Sequence, residues 1–245
     1  MRIAIVGSAC QGKTTLVNDI IKNWPAYKAH ESSYRKAVRE QNLPINTQTT
    51  KDTQWTILNC LIDDLQGYGK DDKIIFDRCP LDNIVYSLWA NAKETPEIDD
   101  EFIKKCIPLV KESMHLLDII FFLPITKVAP VEIADKETRE VDPTFISEID
   151  NIFKTISHSY ARTGASPFFP EEDRPPIIEI FGNPQQRIEM IKLYLDSEGD
   201  LVDEGSIFSP ENIESMESLL GIQQQLGDIE KKEQKLKEEI IRDHK

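Results

Sequence analysis

Apolar residues in this chain follow two rhythms that take turns. Short runs with almost no polar interruption read as buried strands: Arg2-Ile3-Ala4-Ile5-Val6, of the kind covered on both faces, Lys73-Ile74-Ile75-Phe76 and Asp118-Ile119-Ile120-Phe121-Phe122-Leu123; Ile177-Ile178-Glu179-Ile180-Phe181 reads as the last strand. Between the runs apolar residues return at helical intervals. Leu16, Ile20 and Ile21 form one set; Trp55, Leu58, Ile62 and Leu65 a second; Leu81, Ile84, Val85, Leu88 and Trp89 a third. Phe102, Ile103, Cys106, Ile107, Val110, Met114 and Leu117 follow, with Pro108 expected to kink or interrupt that helix. Phe145, Ile149, Ile152, Phe153 and Ile156 mark another helix, and Arg187, Ile188, Ile191 and Leu195 a last one. Tyr27 to His30 supplies a short second strand, and the polar stretch from Asn42 to Thr50 is a loop that caps the next helix through Thr50 or Asp52. Strands alternating with helices predict an α/β fold on an open parallel sheet. Trp55 is expected in its core; together with Gln54 it is also a candidate for the border of a base-binding pocket.

The first switch of rhythm carries the most chemistry. Gly7-Ser8-Ala9-Cys10-Gln11-Gly12-Lys13-Thr14-Thr15 fits G-x-x-x-x-G-K-[ST] at every fixed position and lies between a strand and a helix, the context that motif requires. Glycines allow the backbone to wrap an anion with its N–H groups turned inward, and the new helix adds its positive dipole end. The loop from Gly7 through Gln11 and Gly12 to Thr15 is therefore the candidate site for the phosphates of a nucleoside triphosphate. Lys13 would reach the β- and γ-phosphates, Thr14 would ligate Mg2+, and Thr15 would take a phosphate further back. Cys10 reads as a small filler at a variable loop position.

In an open parallel sheet the ligand crevice lies just past the strand C-termini. Glu31 follows the second strand and is a candidate for holding or deprotonating an acceptor hydroxyl. Arg35 and Arg39, four apart on one helix face, could meet a second phosphate. Asp77-Arg78 ends the next strand. Asp77 would contact the Mg2+ shell or take the acceptor's proton, and Arg78 would offset charge on the transferring group.

Composition narrows the class. With 40% hydrophobic and 29% charged residues over 245 positions, the chain can bury a core for one or two domains. No apolar run approaches the roughly 20 residues that span a bilayer, and the chain enters a strand at once instead of a basic and apolar leader, so a cytoplasmic protein with no membrane segment is expected. Cys10, Cys60, Cys79 and Cys106 are spaced too irregularly for a zinc knuckle or a disulfide framework. A net charge of −14 disfavours non-specific nucleic-acid binding but is compatible with a local basic pocket for one small phosphorylated ligand.

The C-terminal part reads differently. Residues 196–208 are an acidic linker with Gly199 and Gly205, and Ser209-Pro210 has the signature of a helix start. Over 209–245, Leu219, Ile222, Leu226, Ile229, Leu236 and Ile240 follow a heptad pattern that Glu233 interrupts, while Gly221 and Gly227 weaken the helix. This coiled-coil segment would pair with a second copy in a homodimer or lie against the body of the protein.

The phosphate loop, Glu31, and Asp77-Arg78-Cys79-Pro80-Leu81-Asp82 with Tyr86 resemble the P-loop nucleoside and nucleotide kinases, a group that includes thymidylate, deoxynucleoside and ribosylnicotinamide kinases; small kinases of large DNA phages are similar more loosely. The likeness covers about residues 1–190, within an expected kinase domain of 1–195. It implies a three-layer P-loop NTPase fold with a five-stranded parallel sheet, a magnesium-ATP donor and an acceptor beside Glu31 and Arg78. It further implies a lid at about 124–143 closing with Arg139, Arg162 being the alternative, and donor-base contacts at Gly182 and Asn183. The expectation is an ATP-dependent phosphotransferase acting on a small nucleoside or nucleoside monophosphate. A kinase of a modified base in DNA and a nucleotide-dependent switch or scaffold with slow turnover are the alternatives.

Overall fold

A computed structural model describes residues 1–126, 142–163 and 166–202, without the side chain at 163. Arg139, most of the expected lid at 124–143, the end of the linker and the whole expected coiled coil lie outside the described residues. The strands are β1 (Arg2–Val6), β2 (Lys28–Ala29), β3 (Ile74–Asp77), β4 (Ile119–Phe122) and β5 (Ile177–Glu179). They form one sheet in the order β2-β3-β1-β4-β5, and every pairing is parallel. β1 is central because it is apolar on both faces: Ile3 to Val6 are wholly buried, with Ile3 opposite Ile75 on one side and Ile119 on the other. β2 is two exposed residues long and sits at an edge, where a weak strand is tolerated.

The helices are α1 (Lys13–Asn23), α2 (Ser33–Glu40), α3 (Lys51–Gln66), α4 (Pro80–Ala92), α5 (Asp100–Ser113), α6 (Pro143–Thr163) and α7 (Pro184–Ile191). Their starts follow local chemistry. The Thr50 hydroxyl accepts the Thr53 amide at 3.3 Å to cap α3, and Pro80 and Pro184 occupy first-turn positions where no amide partner is lost. α5 runs through Pro108 as one helix, contrary to the expected interruption; Pro108 and Lys104, whose carbonyl the proline leaves free, are both exposed, so water can satisfy that oxygen.

The expected core position of Trp55 is also corrected. α3 buries Thr53, Gln54, Leu58, Leu61, Asp64 and Leu65, while Trp55 is 40% exposed with its ring edge-on to Phe102. The sequence offered two polar residues, Thr53 and Gln54, on the side that turns inward, and they displaced the tryptophan from the predicted face.

Contacts divide the chain into two compact units. The first is Met1–Ile125 with Val131–Ile180, and it contains the sheet and α1 through α6. The second is Thr126–Pro130 with Phe181–Lys245; its described part holds α7 and an antiparallel bridge between Leu195 and Leu201. Among the described residues no helix is long and apolar enough to cross a membrane.

Candidate active site

Because the sheet is parallel, the ends of β1, β2 and β3 open on the same edge, and the candidate residues gather there. The loop after β1 bends through Gly7 (φ 141°), Cys10 (φ 64°) and Gly12 (φ 80°). A Cβ at Gly7 would come within 2.8 Å of the Leu123 carbonyl oxygen, so both the turn and the closeness of β4 require glycine. Lys13, at the start of α1, is buried and donates to the carbonyls of Gly7 at 2.8 Å and Ser8 at 2.6 Å. Burial and the nearby Arg78 lower its pKa to about 7, against the opposing pull of Asp82 and Asp77. An ammonium held at this cost is poised for an anion that would restore its charge.

Asp77, the last residue of β3, joins three elements. Its Oδ2 accepts the Thr14 hydroxyl at 2.6 Å and the Arg35 guanidinium at 2.7 Å, which ties α1 and α2 to β3. Its Oδ1 is buried without a hydrogen-bond partner. Burial pushes the carboxyl up, but Lys13, the Thr14 bond, Arg78 and Arg35 outweigh it and hold the group below the usual range. The Asp64 carboxylate of α3 supports α2 from beneath, accepting the Ser33 amide at 3.1 Å and lying 3.0 Å from His30 Nε2.

Arg78 has φ 92°, a left-handed conformation unusual for a side-chain-bearing residue, and its amide is held by the Ile5 carbonyl at 3.0 Å. The bend turns the guanidinium onto α4. One nitrogen donates to Asp82 Oδ1 at 3.0 Å and the other to the Tyr86 hydroxyl at 3.3 Å, with the Tyr86 ring centroid 5.1 Å from the guanidinium carbon. Asp82 Oδ2 also accepts the Cys79 amide at 3.0 Å, so one carboxylate caps α4 and anchors the arginine. Burial outweighs the pull of Arg78 and Lys13 and holds the Asp82 carboxyl above its usual range; the guanidinium 3.0 Å away, which never loses its proton, is what favours the carboxylate form.

Beside this pair lies a cavity of about 110 Å3 that opens to solvent. Tyr34, Gln54, Ile57, Leu61, Arg78, Asp82, Asn83 and Tyr86 are among its lining residues. Asn83 Nδ2 donates to both the backbone and the side-chain oxygen of Gln54, at 2.9 and 2.7 Å, and Gln54 Nε2 donates to Thr49 at 2.8 Å. These bonds fix both amide orientations, because a flipped Asn83 would set oxygen against oxygen. They leave Asn83 Oδ1 buried and unpartnered.

Of the sequence candidates, Lys13, Thr14, Asp77, Arg78 and Arg35 come together. Gln11 and Gly12 belong to the loop, where the Gln11 amide reaches the Ala9 carbonyl at 3.4 Å; Thr15 is exposed on α1. Glu31 is exposed just past β2. Arg39 is exposed and donates to the Arg35 carbonyl at 3.3 Å, along its own helix. Trp55 does not line the cavity, whereas its neighbour Gln54 does. Asn183 belongs to the second unit, where its side chain caps α7 by accepting the Gln186 amide at 2.9 Å, and Arg162 is exposed on α6. Arg139 lies outside the described residues. Sequence reasoning gave no role to Asp82, Asn83 or Tyr34. The signal was present in the adjacent polar pair Asp82-Asn83, which α4 buries with Ser87 among its apolar residues and which packing alone does not explain.

Comparison with known proteins agrees with this architecture. A family model described as an AAA domain matches residues 2–165. No curated protein matches the sequence. Among solved structures, deoxyadenosine kinase from M. mycoides, in a complex with dCMP and dCDP, aligns with a TM-score of 0.56 at 16% identity over 80% of this chain and 99% of its own. Thymidylate kinase from Candida albicans aligns with a TM-score of 0.55 at 16% identity, over 83% and 95%. NadR, in complex with NAD and AMP-PNP, aligns with a TM-score of 0.51 at 14% identity over 79% of this chain, which spans about half of NadR (49%). At these identities the likeness concerns the fold, a parallel sheet of P-loop kinase type.

Proposed function

The chain belongs to the AAA-domain family, and on that premise we propose that it is a magnesium-dependent phosphotransferase that moves the γ-phosphoryl group of ATP to a small nucleoside or nucleotide. The observation that carries this reading is one cluster: Lys13, Thr14 and Asp77 at the phosphate loop adjoin Arg78, which lines the cavity. A loop that only stored a nucleotide would have no use for that adjacency.

In this reading the loop amides and Lys13 grip the β- and γ-phosphates, and the lysine leaves its loop carbonyls to do so. The fit to Mg2+ rests on the donor set: an unpartnered buried carboxylate oxygen on Asp77 and the Thr14 hydroxyl, both hard oxygens. Such an ion supplies charge compensation for the phosphates. Arg78, without leaving Asp82, turns its remaining N–H donors to the charge gathering on the transferring group, and Asp77 or Glu31 receives the acceptor's proton. The amides of Gln54 and Asn83 are suited to the edge of a planar base, and Tyr34 and Tyr86 to the acceptor's less polar surface. Arg35 or Arg39 would meet an acceptor phosphate if there is one, and Arg139 is the lid arginine of this proposal, with Asn183 beside the donor base.

The test is incubation of the purified chain with magnesium-ATP and a panel of nucleosides, their monophosphates and ribosylnicotinamide, read by a mass increase of one phosphoryl group. Transfer to a panel member supports the reading. ATP binding with no phosphorylated product from any of them sinks it.

A further inference from the structure

The geometry points to an uncharged nucleoside, not a nucleoside monophosphate, as the acceptor, with Asp82 as the residue that sets this preference by neutralising Arg78. The inference rests on the phosphotransferase reading above and narrows its substrate.

The argument is a charge inventory of the cavity. Among the described lining residues Arg78 is the one cation and Asp82 the one anion, and they are bonded to each other at 3.0 Å. The side chain of Asp82 is 2% exposed and that of Arg78 18% exposed, so the pair is shielded from solvent and its charges cancel locally. The second guanidinium nitrogen is engaged by Tyr86. The other described cations nearby do not line the cavity. Arg35 is on Asp77 at 2.7 Å, Lys13 serves the phosphate loop, and Arg39 is turned along its helix.

A monophosphate brings nearly two negative charges. Entering this cavity it would lose its hydration and meet an electroneutral pair, and pulling Arg78 to itself would strand Asp82 as a buried unpaired anion. A nucleoside makes no such demand. Its sugar hydroxyl can accept from the donors Arg78 has left, and its base meets Gln54 and Asn83. The step then balances simply. The hydroxyl oxygen forms a bond to the γ-phosphorus, the bond from that phosphorus to the bridging oxygen of ATP breaks, and the hydroxyl proton passes to Asp77 or Glu31 and on to water. The products are a nucleoside monophosphate and ADP.

Full-length protein, wild type and Asp82→Asn, is given each of four nucleosides and its matched 5′-monophosphate: deoxyadenosine, adenosine, cytidine and thymidine. Binding is measured by calorimetry and transfer by kcat/KM with magnesium-ATP. The expected result for wild type is a preference of 100-fold or more for the best nucleoside over its own monophosphate. Asn at position 82 keeps an oxygen for the cap but removes the counter-charge, so the preference should narrow at least tenfold, through tighter binding of the monophosphate.

A wild-type protein that prefers the monophosphate overturns the inference, and an Asp82→Asn ratio equal to wild type removes Asp82 from it. The wild-type ratio needs no variant, so a substitution that fails to fold leaves the test intact. Absence of transfer to every acceptor is the failure of the phosphotransferase reading; the binding ratio still decides nucleoside against monophosphate in that case.

Discussion

Asp77 and Arg78 are consecutive in the chain, yet they face two regions built on different principles. The phosphate loop on the Asp77 side is a main-chain device: its shape comes from left-handed backbone at Gly7, Cys10 and Gly12, and the Lys13 and Gln11 side chains bond the loop's own carbonyls. The cavity on the Arg78 side is a side-chain device, made of an ion pair, two interlocked amides and tyrosines projecting from α2, α3 and α4. Backbone amides treat all polyphosphates alike, so the loop can grip but cannot choose. Choice must come from the buried side chains next door, whose identities are free to differ among proteins with the same fold.

That contrast can be broken at either region. The largest effect is expected for Lys13→Ala, which should lower kcat/KM for phosphoryl transfer by at least 100-fold while circular dichroism and melting show an intact fold; a loss below tenfold would remove Lys13 from the chemistry. Gly7→Ala tests the main-chain side without touching a functional group. The new methyl meets the Leu123 oxygen at 2.8 Å in a backbone conformation hostile to side chains, so a destabilisation of about 2–4 kcal/mol in urea unfolding is expected, with nucleotide affinity falling in parallel.

Asn83→Leu tests the other side. It removes two hydrogen bonds to Gln54 and leaves the Gln54 side-chain oxygen the longer bond from the Ser87 hydroxyl at 3.4 Å, and a cost of about 1–3 kcal/mol is expected together with a tenfold or greater rise in acceptor KM at unchanged ATP affinity. Should ATP affinity fall as much as acceptor affinity, the two regions are not separate in function.

The smallest effect is a proton. With the Lys13 pKa near 7, part of the free protein is neutral there at pH 8, and a bound polyphosphate favours the charged form. Nucleotide binding should take up a fraction of a proton at pH 8, visible as a dependence of the calorimetric heat on buffer ionisation enthalpy, and affinity should weaken as pH rises above about 7. The folded value lies below the ordinary 10.5, so the unfolded chain keeps its proton longer and this group's contribution to stability improves as pH climbs from about 7 toward 10.5.

The same division explains what could be read in advance. Four of the five strands announced themselves as apolar runs, and for β1, β3 and β4 the reason is that a strand covered on both faces has no polar side to show; the phosphate loop was legible because its function is its spacing. The cavity was not legible in that way. Gln54 and Asn83 are 29 positions apart and meet through the packing of α3 on α4, which no local rhythm encodes. Trp55 misled for a related reason: its size argued for the core, but a one-residue rotation of α3 gave the inward place to Gln54, whose hydrogen bonds to Thr49 and Asn83 compensate its burial. Pro108 failed to stop α5 because solvent exposure, which sequence does not specify, decides whether a missing helix bond is harmful.

The left-handed backbone at Arg78 has a consequence for how this protein could change. A guanidinium is present there only because the Ile5 carbonyl and Asp82 together hold a residue in a conformation worth about 1–3 kcal/mol in strain. Glycine would relax the bend and erase the side chain in one stroke. Alone, that change strands the Asp82 carboxylate, so a variant library sorted for thermal robustness should enrich Arg78→Gly only together with Asp82→Asn, and the same library sorted for turnover should purge the pair.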